Sequence, residues 1–119
     1  MRGLVATAAF VLAGALLCAS QSQAASFDCA KASTPDEHTV CANPTLSALD
    51  SEMGGLWFAY SRFPMLMGGN GDRQDEARGF LAARGKCGAD AKCLTALYQA
   101  RIATLKEHIA MYIKGMPPL

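Results

Sequence analysis

The sequence predicts an all-α fold, a small disulfide-stapled helical bundle of one short and three longer helices. Three observations carry that expectation. Leu46, Leu49, Met53, Leu56, Tyr60 and Phe63 recur at steps of three and four, and so do Leu94, Tyr98, Ile102, Leu105, Ile109 and Tyr112. Each set lays one apolar stripe along a helix, and strand-like alternation is absent. Finally, Cys29, Cys41, Cys87 and Cys93 all follow an export-type leader. An even number of cysteines in a short exported chain reads as a disulfide framework rather than as thiols.

The leader is expected to span residues 1–24 as a signal peptide. Arg2 supplies the positive end, Leu4 to Leu17 is an apolar run broken by Thr7 and Gly14, and Ser22-Gln23-Ala24 places small residues where a signal peptidase reads them. Cleavage is expected after Ala24, with Ala25 as the neighbouring choice. The run is short for a membrane span and polar residues follow it at once, so no stable span is expected after cleavage. Leu17, not a small residue, precedes Cys18, which is therefore read as discarded with the leader rather than lipidated. Residues 25–119 then form one domain. A chain that short buries a modest core and needs covalent staples. Four cysteines allow three pairings, and local closure favours Cys29–Cys41 and Cys87–Cys93. The expected location is the periplasm or the secreted space.

With Arg2 removed, the 11 basic and 10 acidic residues of the whole chain come into balance. Nucleic acid is not expected as a partner, because phosphate binding needs a basic surplus. The charge is nonetheless uneven. Asp28, Asp36, Glu37, Asp50 and Glu52 face Lys31 alone before Ser61, and the basic residues gather after it. A solvated helical surface is the plain reading of that asymmetry; steering of a partner is the functional one.

Each element has a local signal. Thr34-Pro35-Asp36-Glu37 starts a short helix to about Ala42, with Thr34 as cap and Glu37 completing a capping box. Asn43-Pro44 restarts the chain as cap and first residue of a helix running to about Phe63. Gly54-Gly55 interrupts that helix at a cost of about 2 kcal/mol in propensity, which calls for either a close neighbour or a bend. Pro64 marks its end or a kink. Met65 to Gly71 is expected to be a loop, with Asp72 capping a third helix and Asp75 and Glu76 favouring its first turn. Ala77, Phe80, Leu81 and Arg84 are its expected inner face and exit. Cys87 to Cys93 is a tight connection, Asp90 caps the last helix from Ala91 to about Lys114, and Gly115 with Pro117-Pro118 stops it.

Phe27-Asp28-Cys29-Ala30-Lys31-Ala32, Thr34-Pro35, Glu37, Cys41-Ala42-Asn43-Pro44, Leu46 and Leu49-Asp50 resemble the start of the LprI-like domain (DUF1311), a small exported helical domain. Phe80-Leu81, Arg84, Cys87, Cys93-Leu94, Tyr98, Arg101-Ile102 and Leu105 look like its closing pattern, with Phe80 where tryptophan is usual. The resemblance covers nearly all of residues 25–119. It implies a cell-envelope protein, with lysozyme inhibition as the activity for which the family is named. It implies no catalytic residues.

The residues themselves offer little chemistry. His38-x-x-Cys41 has the spacing of a metal pair, but a disulfide removes the thiolate a metal needs. His108 has no nucleophile at motif spacing. Met65-x-Met67, with Met53, Met111 and Met116, is a supply of thioethers suited to Cu(I), although methionine also fills core gaps. The acid pairs Asp36-Glu37, Asp50 with Glu52, and Asp75-Glu76 suit helix starts better than acid–base work. No catalytic residue, metal or cofactor is therefore assigned, and an enzyme is not expected.

Trp57, Phe58, Phe63, Met65, Leu66 and Met67 exceed what one stripe can bury; a wider core against the third and fourth helices is the plain reading of that excess, and an exposed patch that marks a partner surface is the functional one. The expected function is a non-enzymatic exported binding protein with a protein partner, lysozyme being the candidate. The loop Met65 to Asp72, with Met65, Leu66 and Met67, would insert into a cleft, and Asp72, Asp75 and Glu76 would meet a basic enzyme surface. The alternatives are an envelope-stress or structural protein that binds another envelope protein through the Trp57–Met67 surface, and a methionine-based Cu(I) module.

Overall fold

The structure, a computed structural model, describes residues 25–116. The leader, Cys18 and the final Pro117-Pro118 lie outside the described residues. A 3-10 turn at Cys29–Lys31 precedes four helices: α1 (Pro35–Ala42), α2 (Pro44–Tyr60), α3 (Gly69–Cys87) and α4 (Ala91–Lys114). No strand occurs among the described residues. The disulfides are Cys29–Cys41 and Cys87–Cys93. The first ties the N-terminal segment to α1, and the second bridges the turn from α3 to α4.

Most helix starts follow from their caps. Ser33 and Thr34 amides donate to the Glu37 carboxylate at 2.8 and 3.3 Å, which satisfies free N–H groups at the head of α1. The Asn43 side chain accepts from the Thr45 and Leu46 amides at 3.0 and 3.1 Å. Asp90 does the same for Lys92 and Cys93, both at 3.0 Å. The Ser47 hydroxyl donates to the Val40 carbonyl at 2.6 Å and fastens α2 to the preceding helix.

Three boundaries or faces differ from expectation. α2 ends at Tyr60, not Phe63, because Arg62 and Phe63 amides turn back three residues to Ala59 and Tyr60 carbonyls ahead of Pro64. α3 begins at Gly69, so Gly69–Gly71 are helical rather than loop, and the cap is Gly68 at φ 86°, not Asp72. The reason is long-range. The buried Arg73 guanidinium donates to the carbonyls of Tyr60 and Phe63 at 2.7 and 3.0 Å and to the Asn70 side chain at 2.7 Å. One side chain thus ties the first turn of α3 to the end of α2. Leu81 is also not on the inner face of α3. Phe80 and Arg84, four residues apart, occupy it, and Leu81 stands 53% exposed.

Side-chain pairs give the topology. Asp50 meets Tyr98, Tyr60 meets His108 and Phe63 meets Tyr112, so α2 and α4 run parallel. Glu76 meets both Arg101 and His108, and a disulfide joins Cys87 to Cys93, so α3 runs antiparallel to α4. α4 packs on all three other helices, whereas no Cα atoms of α2 and α3 lie within 8 Å of each other. The base of the bundle, near the disulfides, holds the core of Val40, Leu46, Phe80, Leu94 and Tyr98, with Ala25 and Phe27 packed against it.

Gly54 and Gly55 separate in role. A Cβ on Gly54 would stand 2.6 Å from the Ser26 Cβ, so the close neighbour is the N-terminal segment and not another helix. Gly55 meets nothing within 4 Å.

Candidate functional site

The molecule is polarised along its axis. At the base, a buried polar network joins every element. The Arg84 Nε donates to Asp36 at 2.7 Å, and its Nη2 reaches Glu37 at 3.5 Å. The Phe27 ring lies with its centroid 5.3 Å from the same guanidinium. One turn away in space, Asp50 accepts from the Tyr98 hydroxyl, the Ser26 amide and the Ser26 hydroxyl, each at 2.6 Å.

These contacts set the charges. Burial opposes ionisation of Asp36, but hydrogen bonds from Thr34 and Arg84, with the Arg84 charge, hold its carboxyl below the usual range. Glu37 is lowered chiefly by the Ser33 amide. Burial, then the bond to Asp50, pushes the Tyr98 phenol far above its ordinary value. These bonds run between parts of the chain itself, so the network is structural in character.

The opposite end, the tip, carries aromatic and apolar groups. Phe63 stacks on Tyr112 with centroids 4.1 Å apart. Tyr60 sits 6.3 Å from Trp57, 6.2 Å from Phe63 and 5.3 Å from His108, ring to ring. Burial and the nearby Glu76 raise the Tyr60 phenol. Beyond this cluster, Leu66 is 92% exposed and Met67 fully exposed on the loop from α2 to α3. Met111, Ile113 and Met116 near the end of α4, and Phe58 near the end of α2, are more than half exposed as well. Leu81 is the one large apolar side chain of this exposed set that does not belong to the tip half.

The expected partner residues fall into three places. Leu66 and Met67 project from the tip, and Met65 lies back against Gly69. Trp57 turns inward and lines a cleft between α2 and α3 with Met53, Ala77, Phe80, Leu81 and Arg101. Its neighbour Phe58 faces solvent with the Arg62 guanidinium 4.0 Å above its ring. Among the acids, exposed Asp72 sits in the first turn of α3. Asp75 is bridged to Arg78, and Glu76 is held by Arg101 at 3.1 Å. The tip therefore gathers Leu66, Met67 and Asp72, while Trp57 and Glu76 belong to the cleft and its rim.

The remaining candidates separate. His38 is exposed, and its metal-like neighbour Cys41 is in a disulfide. Asp50 is buried, whereas Glu52 pairs with Lys106 at 2.6 Å on the surface. Met53 lines the cleft, away from Met67 at the tip. Among the described residues no group of three His, Cys, Asp or Glu side chains is placed to hold a metal ion, and no helix is long and apolar enough to cross a membrane.

Comparison with protein-family models, curated proteins and solved structures finds no match.

Proposed function

We propose that this chain is a non-enzymatic, exported binding protein that recognises a protein partner through the tip of its bundle, with lysozyme inhibition as the candidate activity. The observation that carries this reading is the loop between α2 and α3. Two adjacent large apolar side chains, Leu66 at 92% and Met67 at full exposure, are held out by Pro64 on one side and the Gly68 turn on the other. Such groups lose apolar contact with water only when a partner covers them, and that is the energetic signature of an interaction surface. The loop is also fixed at its root, because Arg73 binds the carbonyls on either side of Ser61-Arg62. A preformed apolar finger loses little conformational entropy on docking.

In the lysozyme reading, Leu66 and Met67 enter the substrate cleft and Asp72 meets the basic rim. Two disulfides and the resemblance to the LprI-like domain support an oxidising, extracytoplasmic setting. The test is titration of the oxidised protein against c-, g- and i-type lysozymes at moderate salt. Stoichiometric inhibition of one type is expected, and L66S/M67S is expected to weaken it at least tenfold with an unchanged helical spectrum. Full inhibition by that variant would remove the tip from the mechanism.

A second reading has its own observation. The cleft walled by Met53, Trp57, Phe80 and Leu81 is apolar and open, because α2 and α3 stand apart. An envelope protein that inserts one apolar side chain there would be lost on Trp57→Ala, with lysozyme unaffected.

A further inference from the structure

Asp50 differs from the other buried carboxylate of the described residues, Asp36, and from the ion-paired acids of the surface. Asp36, Glu52, Asp75 and Glu76 each have a Lys or Arg partner. Asp50 is fully buried, yet its three donors are neutral: the Ser26 amide, the Ser26 hydroxyl and the Tyr98 hydroxyl. Among the described residues no cation forms an ion pair with it. A buried carboxylate without a counter-charge is costly unless something compensates it.

The neighbourhood of Asp50 is built around the start of the described chain. Ala25 and Phe27 pack on the core, Gly54 leaves room for Ser26, and Cys29–Cys41 fastens the segment just beyond. Consecutive backbone nitrogens lie about 3–3.6 Å apart. The Ala25 nitrogen therefore sits within about 6 Å of the Asp50 carboxylate, since the Ser26 nitrogen is 2.6 Å from it.

We propose that the Ala24–Ala25 bond is a processing site whose product N-terminus is captured by Asp50. An endopeptidase that reads small residues adds water across this amide. The C–N bond breaks, Ala24 leaves as a carboxylate, and the Ala25 nitrogen becomes an ammonium by taking up a proton. That ammonium gives Asp50 a direct counter-charge, whereas Arg84 reaches it only through the Tyr98 hydroxyl. Removal of the leader thereby strengthens the fold that it leaves behind. The free N-terminus is a functional part of the protein rather than a frayed end.

The experiment uses chains that begin at Ala25, assembled by ligation at Cys41 and oxidised, with the α-amine free, acetylated or dimethylated. Acetylation removes the charge, whereas dimethylation keeps it and adds bulk. The dimethylated protein is expected to melt like the free one, and the acetylated protein several degrees lower. In the Asp50→Asn background the three forms are expected to melt together. Equal melting of the acetylated and free wild-type chains would overturn the proposal. So would a dimethylated chain that falls with the acetylated one, because space rather than charge would then be the cause. If the Asp50→Asn chain does not fold, acylation of the wild-type α-amine decides the matter. It is expected to be at least tenfold slower than in a free Ala-Ser-Phe peptide, and an equal rate would count against capture. The exported product is expected to start at Ala25 by mass, and a start beyond Ser26 would delete the donor and sink the proposal.

Discussion

Tyr98 shows how much a single side chain can carry at the base of this bundle. Its ring touches Phe80 edge-on with centroids 5.2 Å apart, and its hydroxyl donates to Asp50. Tyr98→Phe keeps the ring and removes the donor, leaving a buried carboxylate short of one bond. A loss of about 1.5–3 kcal/mol is expected, read from urea unfolding at neutral pH. Arg84→Met leaves Asp36 buried and unpaired, with an expected cost of about 3–5 kcal/mol, whereas removing both charges together should cost less. The pH dependence follows from the same groups. Asp36 and Glu37 have folded values below their ordinary 3.8 and 4.5, so their stabilisation is present above those values and is lost as pH falls further. Tyr98 is raised, so its contribution holds below pH 10 and is lost as pH climbs beyond. Thermal scans should therefore show a plateau at neutral pH and decline below about pH 4 and above about pH 10. The acid decline should shrink in Arg84→Met, and an unchanged decline would assign it to other carboxylates.

At the scale of elements, the two adjacent glycines of α2 make a controlled pair. Gly55→Ala enters open space and should stabilise by up to about 1 kcal/mol through helix propensity. Gly54→Ala drives a Cβ against Ser26 and should destabilise, despite the same gain in propensity. Opposite signs in one unfolding series would check the packing of the N-terminal segment; equal stabilisation would mean that Ser26 does not sit there. What the sequence makes legible follows the range of the interaction. α1 and α4 begin and end where Thr34-Pro35 and Asp90 predict, because caps act over three or four residues. The start of α3 is not legible. Glycine-rich residues 68–71 read as loop, and the guanidinium that makes them helical is bonded to carbonyls 10 and 13 residues back. The polar network is less legible still. Its key bonds, Arg84 to Asp36 and Tyr98 to Asp50, each span 48 residues. Adjacent Asp36-Glu37 carries the ordinary signature of a helix start, so nothing local marks Asp36 as an ion-pair partner. Trp57 and Phe58 could be named as surplus aromatics, but adjacent helical residues point about 100° apart, and only the neighbours decide which is covered.

For the whole molecule, the disulfides close loops with sequence separations of 12 and 6 residues. Chain-entropy arguments give about 3 and about 2 kcal/mol respectively. In a domain this small that is a large share of a total stability of about 5–10 kcal/mol. Reduction under native conditions should therefore lower the melting temperature by more than 10 °C on the scale of about 4–8 °C per kcal/mol. Separate Cys→Ala pairs should show the larger loss for Cys29 with Cys41.

α4 is the hub on which the other three helices pack, and it comes last in chain order among the described helices. Until it emerges, α2 and α3 make no close backbone approach and are held by the Arg73 tie at the end of α2, and Leu94 and Tyr98 are missing from the core. A nascent chain that has reached only Asp90 therefore has no native state to fall into. It stays unfolded through most of its synthesis and commits to its shape in one late step. A 25–90 fragment should accordingly be unfolded by circular dichroism and rapidly digested, and adding a synthetic α4 peptide should restore helix in both.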